Sequence, residues 1–178
     1  MKKITTLFAV AMLASSVFAG PVSYSSKGTK NVIAPAPETC FGPGFDIGIY
    51  GSALIPNDER GDFDTGGGGG ILAEYFFCNY VGVQASYTIN STSSGLHTYS
   101  GDLVLRLPIE SLCIAPYVIA GGGGDTDGES LGQWHVGGGL DVRFRGSPLG
   151  IFADGQYYWH DNQNRDYTMI RAGIKWKL

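Results

Sequence analysis

The segment VGVQASYTIN, residues 81–90, puts Val81, Val83, Ala85, Tyr87 and Ile89 at one set of alternate positions and Gly82, Gln84, Ser86, Thr88 and Asn90 at the other. Successive side chains of a strand point to opposite faces, so the pattern is a strand with one apolar and one polar face. QWHVGGGLDVRF, residues 133–144, repeats the division: Trp134, Val136, Leu140, Val142 and Phe144 stand against His135, Gly137, Gly139, Asp141 and Arg143.

Carried along the chain, the same count predicts strands over about 44–54, 67–78, 80–90, 96–107, 113–123, 133–144, 149–160 and 167–178. The expected connections alternate. Longer polar segments fall at IPNDERGDFDTG, STSSG, DTDGESLG and DNQNRD, and shorter ones at CNY, PIESL and RGSP. Eight strands of about ten residues with alternating connections outline an all-β fold, an eight-stranded antiparallel transmembrane up-and-down β-barrel.

A soluble barrel of lipocalin type alternates too, with its apolar face turned inward around a ligand. Asp46, Glu74, Asp102, Arg106, Asp141, Arg143, Asp154, Arg171, Lys175 and Lys177 all fall on the polar face. In a membrane barrel that face is the lumen, where acids and bases pair. The apolar face is expected to carry Tyr87, Tyr99, Tyr117, Trp134, Tyr157, Trp159 and Trp176, mostly near strand ends where an interfacial aromatic girdle lies, and this favours the membrane. The lumenal charge network is therefore expected to comprise Glu74, Asp102, Arg106, Asp141, Arg143, Asp154 and Arg171, with Glu74, Asp102 and Asp141 facing Arg106, Arg143 and Arg171.

The N-terminus supplies the route to a membrane. Met1 to Ala19 opens with Lys2 and Lys3, runs apolar from Leu7 to Leu13 and closes on Val17-Phe18-Ala19. These are the three regions of a secretory signal peptide, and the apolar run is too short to span a bilayer. The expected organisation is a signal peptide at 1–19, a periplasmic N-terminal segment rich in Ser, Pro and Lys at 20–43, and the barrel at 44–178. Removal of Lys2 and Lys3 takes the formal charge from −4 to −6. An acidic chain is a poor match for nucleic acid.

The last eight residues, RAGIKWKL, place Gly173, Trp176 and Leu178 in the pattern of the C-terminal assembly signal of outer-membrane proteins, with Leu178 where Phe or Trp is usual. APYVIAGGGG, residues 115–124, looks like a strand common among small barrels of this kind. Over residues 44–178 the chain thus resembles the small eight-stranded outer-membrane β-barrel family of OmpA/OmpX type. The resemblance implies residence in the bacterial cell outer membrane, contact with outer-membrane lipid, and insertion by the barrel-assembly machinery. With no peptidoglycan-binding domain after Leu178, the tethering role of two-domain members is not expected.

Gly66 to Gly70 lack the Lys-Ser/Thr that a phosphate-binding loop requires, since Ile71 and Leu72 follow. They are read instead, with Gly121 to Gly124 and Gly137 to Gly139, as space for Tyr50, Phe76, Tyr158 and the charged groups in a narrow interior. His97, His135 and His160 are expected at the extracellular rim, His135 and His160 on the inward side with Asp154 and Asp161 near in sequence. A metal or acid–base site there is the sharper reading and hydrogen bonding to neighbours the plainer one. Asp125 to Glu129 starts like a calcium loop but has Ser130 and Val136 where its glycine and glutamate belong. With Asp58, Glu59, Asp62 and Asp64 it reads as an acidic outer surface, suited to divalent ions bridging to lipid head groups.

Cys40, Cys78 and Cys113 all fall on the periplasmic side, in an oxidising compartment. Because strands one and two are neighbours, Cys40–Cys78 is the expected disulfide, with Cys113 left over and Cys78–Cys113 as the alternative. The functional expectation is a monomeric barrel with a lumen plugged by charged side chains, a structural or surface-interaction role, and neither catalysis nor cofactor. The alternatives are a lipid-modifying enzyme using the rim histidines, a narrow pore, and a soluble carrier.

Overall fold

A computed structural model describes residues 39–57, 65–91, 95–126, 130–160 and 166–178. The segment 1–19, most of 20–43 and Asp161 lie outside these residues. Eight strands follow in chain order: β1 (Gly44–Pro56), β2 (Gly66–Phe76), β3 (Val81–Ser91), β4 (Leu96–Arg106), β5 (Ile114–Thr126), β6 (Ser130–Arg143), β7 (Leu149–His160) and β8 (Tyr167–Lys177). Each pairs antiparallel with the next, and β1 pairs with β8 from Asp46↔Lys177 to Pro56↔Tyr167, so the barrel closes. Closure leaves no unpaired edge, which a sheet in hydrocarbon requires.

One end carries Gly44, Lys177 and the turns 77–80, 107–113 and 144–148; we call it the terminal end. The other carries the connections 57–65, 92–95, 127–129 and 161–166; we call it the loop end. Two lengths differ from expectation. The polar segment at 125–132 is mostly strand, because the β5–β6 ladder runs on to Thr126↔Ser130. The PIESL connection is longer than foreseen, folded back by an Ile109↔Ile114 bridge and by Cys113, whose φ of 53° is left-handed. At 144–148 the reversal needs a glycine: Gly146 has φ 73° inside the turn that Ser147 N closes on Phe144 O at 3.0 Å.

The alternation predicted from β3 holds there residue by residue. Val83, Tyr87 and Ile89 are exposed, while Gln84, Thr88 and Asn90 are buried. Around the whole barrel the outside carries Ile47, Ile49, Ile71, Leu103, Val118, Leu140, Ile151, Ile170 and Ile174, whereas Arg171, Lys175 and Glu74 are at most 1% exposed. Apolar outside and charged inside is the reverse of a water-soluble protein and is the distribution of a barrel in lipid. Tyr117 corrects one assignment. It points inward and is 6% exposed, because Ala115 and Ile119 share its face while Val118 faces out. APYVI is apolar on both faces, so hydropathy alone carries no parity there.

Eight strands leave an interior only wide enough for side chains. Three apolar clusters divide it. Leu54, Leu96, Tyr158, Tyr167 and Met169 lie toward the loop end, Tyr50, Leu72 and Phe152 in the middle, and Phe76, Val104, Tyr117 and Ile119 toward the terminal end. Tyr50 fits because glycine stands beside it on both neighbouring strands. A Cβ on Gly70 would lie 2.6 Å from its ring, and one on Gly173 would lie 2.6 Å from its Cβ.

Candidate functional site

The lumen holds the charged groups, so it is the candidate site, and the registers decide its pairings. Toward the terminal end, Arg143 of β6 reaches across to Asp46 of β1 (Nη2–Oδ2, 2.8 Å) and holds Asp141 on its own strand (Nε–Oδ1, 2.9 Å). Lys175 of β8 donates to Glu74 of β2 at 2.8 Å and lies 3.4 Å from Asp141. Five groups from four strands thus form one connected net. Arg106, at the end of β4, stands apart from it: the guanidinium lies 3.4 Å from the Phe76 ring centroid and donates to Asn79 O and Gly42 O, each at 2.9 Å.

In mid-barrel, Asp154↔Arg171 is a direct cross-strand pair. Arg171 grips both carboxylate oxygens, Nε to Oδ1 at 2.9 Å and Nη2 to Oδ2 at 2.8 Å, and the Tyr117 hydroxyl donates to Oδ2 at 2.6 Å. Nearer the loop end, His135 Nε2 stands 2.8 Å from Asp102 Oδ1, an approach not aligned as a hydrogen bond, with both side chains fully buried. Gln84 and Ser100 donate to Asp102 Oδ2 at 3.3 and 3.0 Å, and the His135 ring stacks on Tyr158. His160 Nε2 lies 2.8 Å from Asp125 Oδ2, which also accepts from the Tyr167 hydroxyl at 2.9 Å.

Of the expected network, the structure brings Asp141 to Arg143 and Asp154 to Arg171, but pairs Glu74 with Lys175 and Asp102 with His135. Arg106 has no carboxylate within salt-bridge range among the described residues. Lys175, Asp46, Asp125 and the Tyr117 hydroxyl join the network without having been singled out for it. The charge count shows why they are needed: the described lumen holds six carboxylates (Asp46, Glu74, Asp102, Asp125, Asp141, Asp154) against Arg106, Arg143, Arg171 and Lys175. The two acids that no Arg or Lys reaches, Asp102 and Asp125, are the two that histidines hold.

The histidines are not brought together. His135 and His160 face inward on separate carboxylates, and Asp154 serves neither. His97 is on the outside, where Nδ1 meets the Tyr87 hydroxyl at 2.8 Å. No group of three or more His, Cys, Asp or Glu is arranged to hold a metal among the described residues.

The disulfide is a correction. Cys40 is bonded to Cys113, with Cα atoms 5.4 Å apart, and Cys78 is free and exposed. Strand β2 ends at Phe76, and the 77–80 turn carries Cys78 outward; Cys113 keeps the inward side of the face it shares with Ala115 and Tyr117. Neighbouring strands did not decide the pair; side-chain direction did. At the C-terminus, Gly173 lies inward beside Tyr50, while Trp176 and Leu178 face outward at the terminal end.

A groove of about 670 Å³ lies on the outer surface between β8 and β3, lined by Ile47, Ile49, Ile71, Ala73, Tyr87 and Trp176. A ligand-carrying barrel would place such apolar space inside.

No protein-family model and no curated relative matches the chain. Solved structures do match. Neisserial surface protein A aligns with a TM-score of 0.63 at 15% identity, covering 77% of this chain and 99% of that one. The N-terminal β-barrel domain of Pseudomonas aeruginosa OprF gives 0.58 at 16%, covering 77% and 99%. Ail, the attachment invasion locus protein of Yersinia pestis, gives 0.53 at 17%, covering 78% and 99%. The fold is that of the small outer-membrane barrels. Such barrels share the closed eight-stranded frame at identities this low because the frame asks only for alternation, closure and a filled lumen.

Proposed function

We propose that the chain is an integral protein of the bacterial outer membrane, with the terminal end in the periplasm, the loop end outside, and a lumen closed to solutes. Its role is structural or surface-interacting rather than catalytic. The observation that carries this reading is the filling of the lumen: every buried carboxylate named above has a cationic or histidine partner, and the apolar clusters occupy the space between. A conducting pore wants a continuous aqueous path instead. Insertion by the barrel-assembly machinery, with Gly173, Trp176 and Leu178 in the recognised strand, and residence as a monomer among outer-membrane lipids belong to the same reading.

The outer connections carry Asp58, Glu59, Asp62, Asp64, Asp127, Glu129, Asp161 and Asp166 against Arg60 and Arg165. That balance suits divalent ions shared with anionic head groups, or a cationic partner. The Yersinia attachment protein has been captured with the heparin analogue sucrose octasulfate; a polyanion of that kind meets the wrong sign here. A lipid-modifying activity at His135 and His160 is disfavoured by their position, since they are 3% and 8% exposed and turned away from lipid.

Fractionation tests the reading. The protein is expected in the outer-membrane fraction, to migrate faster unboiled than boiled, and to pass no steady current in planar bilayers. A single gel position from a soluble fraction, or a stable open conductance, contradicts it.

A further inference from the structure

The chain reaches β1 through Thr39–Pro43, and these residues cross the terminal mouth of the barrel. Phe41 is 1% exposed. Its ring centroid lies 5.1 Å from the Arg106 guanidinium, on whose other contact, Phe76, the distance is 3.4 Å. Arg143, Arg171 and Lys175 each sit 2.8 Å from a carboxylate. Arg106 is held differently. Two of its four contacts, the Phe41 ring and Gly42 O, come from this crossing segment, and the others from Phe76 and Asn79 O. The segment is fixed beyond Phe41 by the Cys40–Cys113 disulfide and by Cys40 N donating to Glu110 Oε2 at 2.8 Å.

We propose that Thr39–Pro43 is a disulfide-latched plug of the lumen's periplasmic mouth, seated while Cys40–Cys113 is intact and released when a protein dithiol reduces it. Only the compartment rests on the outer-membrane reading; the plug itself rests on the contacts. In the release step a thiolate of the dithiol attacks one sulfur of Cys40–Cys113 and forms a mixed disulfide. Its second thiol displaces that sulfur. The dithiol leaves as a disulfide, and Cys40 and Cys113 take up two electrons and two protons as thiols. The link spans a sequence separation of 73 residues. Once it is open, the segment keeps only the packing of Phe41 and the two hydrogen bonds Cys40 N–Glu110 Oε2 and Arg106–Gly42 O, and its departure turns a guanidinium buried between two rings toward the water of the mouth. Arg171, gripped by Asp154 in mid-lumen, does not depend on the plug.

The test labels arginines of the full-length protein in detergent micelles with phenylglyoxal, with and without dithiothreitol, and maps the modified peptides. Reduction is expected to speed Arg106 labelling by about tenfold or more, as local opening does, and to leave Arg171 unchanged. Phe41→Ala is expected to speed Arg106 labelling with the disulfide intact, and Cys78→Ser to change neither state. Arg106 labelling that is equally slow after reduction overturns the latch. A rise of Arg106 and Arg171 together also overturns it, because the barrel as a whole then opens. Failure of the membrane reading shows elsewhere, in a protein that stays soluble without detergent.

Discussion

Arg171 is fully buried, and its bidentate hold on Asp154 is what makes its charge tolerable there. Removing one partner strands the other. Asp154→Ala is expected to lower the unfolding free energy by about 3–5 kcal/mol, measured by urea titration in lipid vesicles, while the Arg171→Met, Asp154→Ala double variant regains much of that loss. If the single and double variants are equally unstable, the pair is not the unit. Glycines beside Tyr50 give a second residue-scale outcome. A Cβ on Gly70 meets the Tyr50 ring and the Tyr87 carbonyl, whereas one on Gly101 meets nothing within 4 Å. Gly70→Ala should cost about 1–3 kcal/mol by overpacking and Gly101→Ala about 0.5 or less. Equal effects would mean that the glycines serve backbone freedom, not space. At this scale the sequence was legible for which residues turn inward and not for what they meet. Glu74 and Lys175 are 101 residues apart, and only the barrel's closure sets them 2.8 Å from each other. Tyr117 and the cysteine pairing were misread for a related reason: both depend on side-chain direction where apolar residues occupy both faces or a turn ends the alternation.

Strands were the readable elements, because a period of two needs no partner to be seen. All eight begin and end within a few residues of expectation, with the widest departures at 125–132, where a polar composition resembles a loop although the β5–β6 pairing runs on to Thr126↔Ser130. What hydropathy reports at this scale is the lipid-facing side. Ile49, near the middle of β1, is 64% exposed, and Ile55, near its loop end, is 42% exposed. In bilayers, Ile49→Arg is expected to destabilise by about 2–4 kcal/mol and Ile55→Arg by about 1 or less, following depth. Equal costs at the two positions, read from reversible unfolding in vesicles, would contradict a spanning orientation.

At the scale of the whole molecule, the chain is a closed shell around an interior filled by charged pairs and apolar clusters, joined across its terminal mouth by one disulfide. Peptide mapping without reductant should recover Cys40 linked to Cys113 and Cys78 alkylated; a Cys40–Cys78 peptide would mean that the mouth is closed from the opposite side. The remaining question is which face meets lipid. The three tryptophans of the chain answer it, because Trp134, Trp159 and Trp176 all point outward, Trp134 and Trp159 paired toward the loop end and Trp176 at the terminal end. The deciding measurement is therefore quenching of their fluorescence in vesicles by lipids brominated at known depths, set against aqueous iodide. An inside-out barrel predicts strong quenching by bromines near the head groups, weaker quenching by deep ones, and little by iodide. Tryptophans open to iodide and indifferent to brominated lipid would mean that the apolar face does not lie in the membrane.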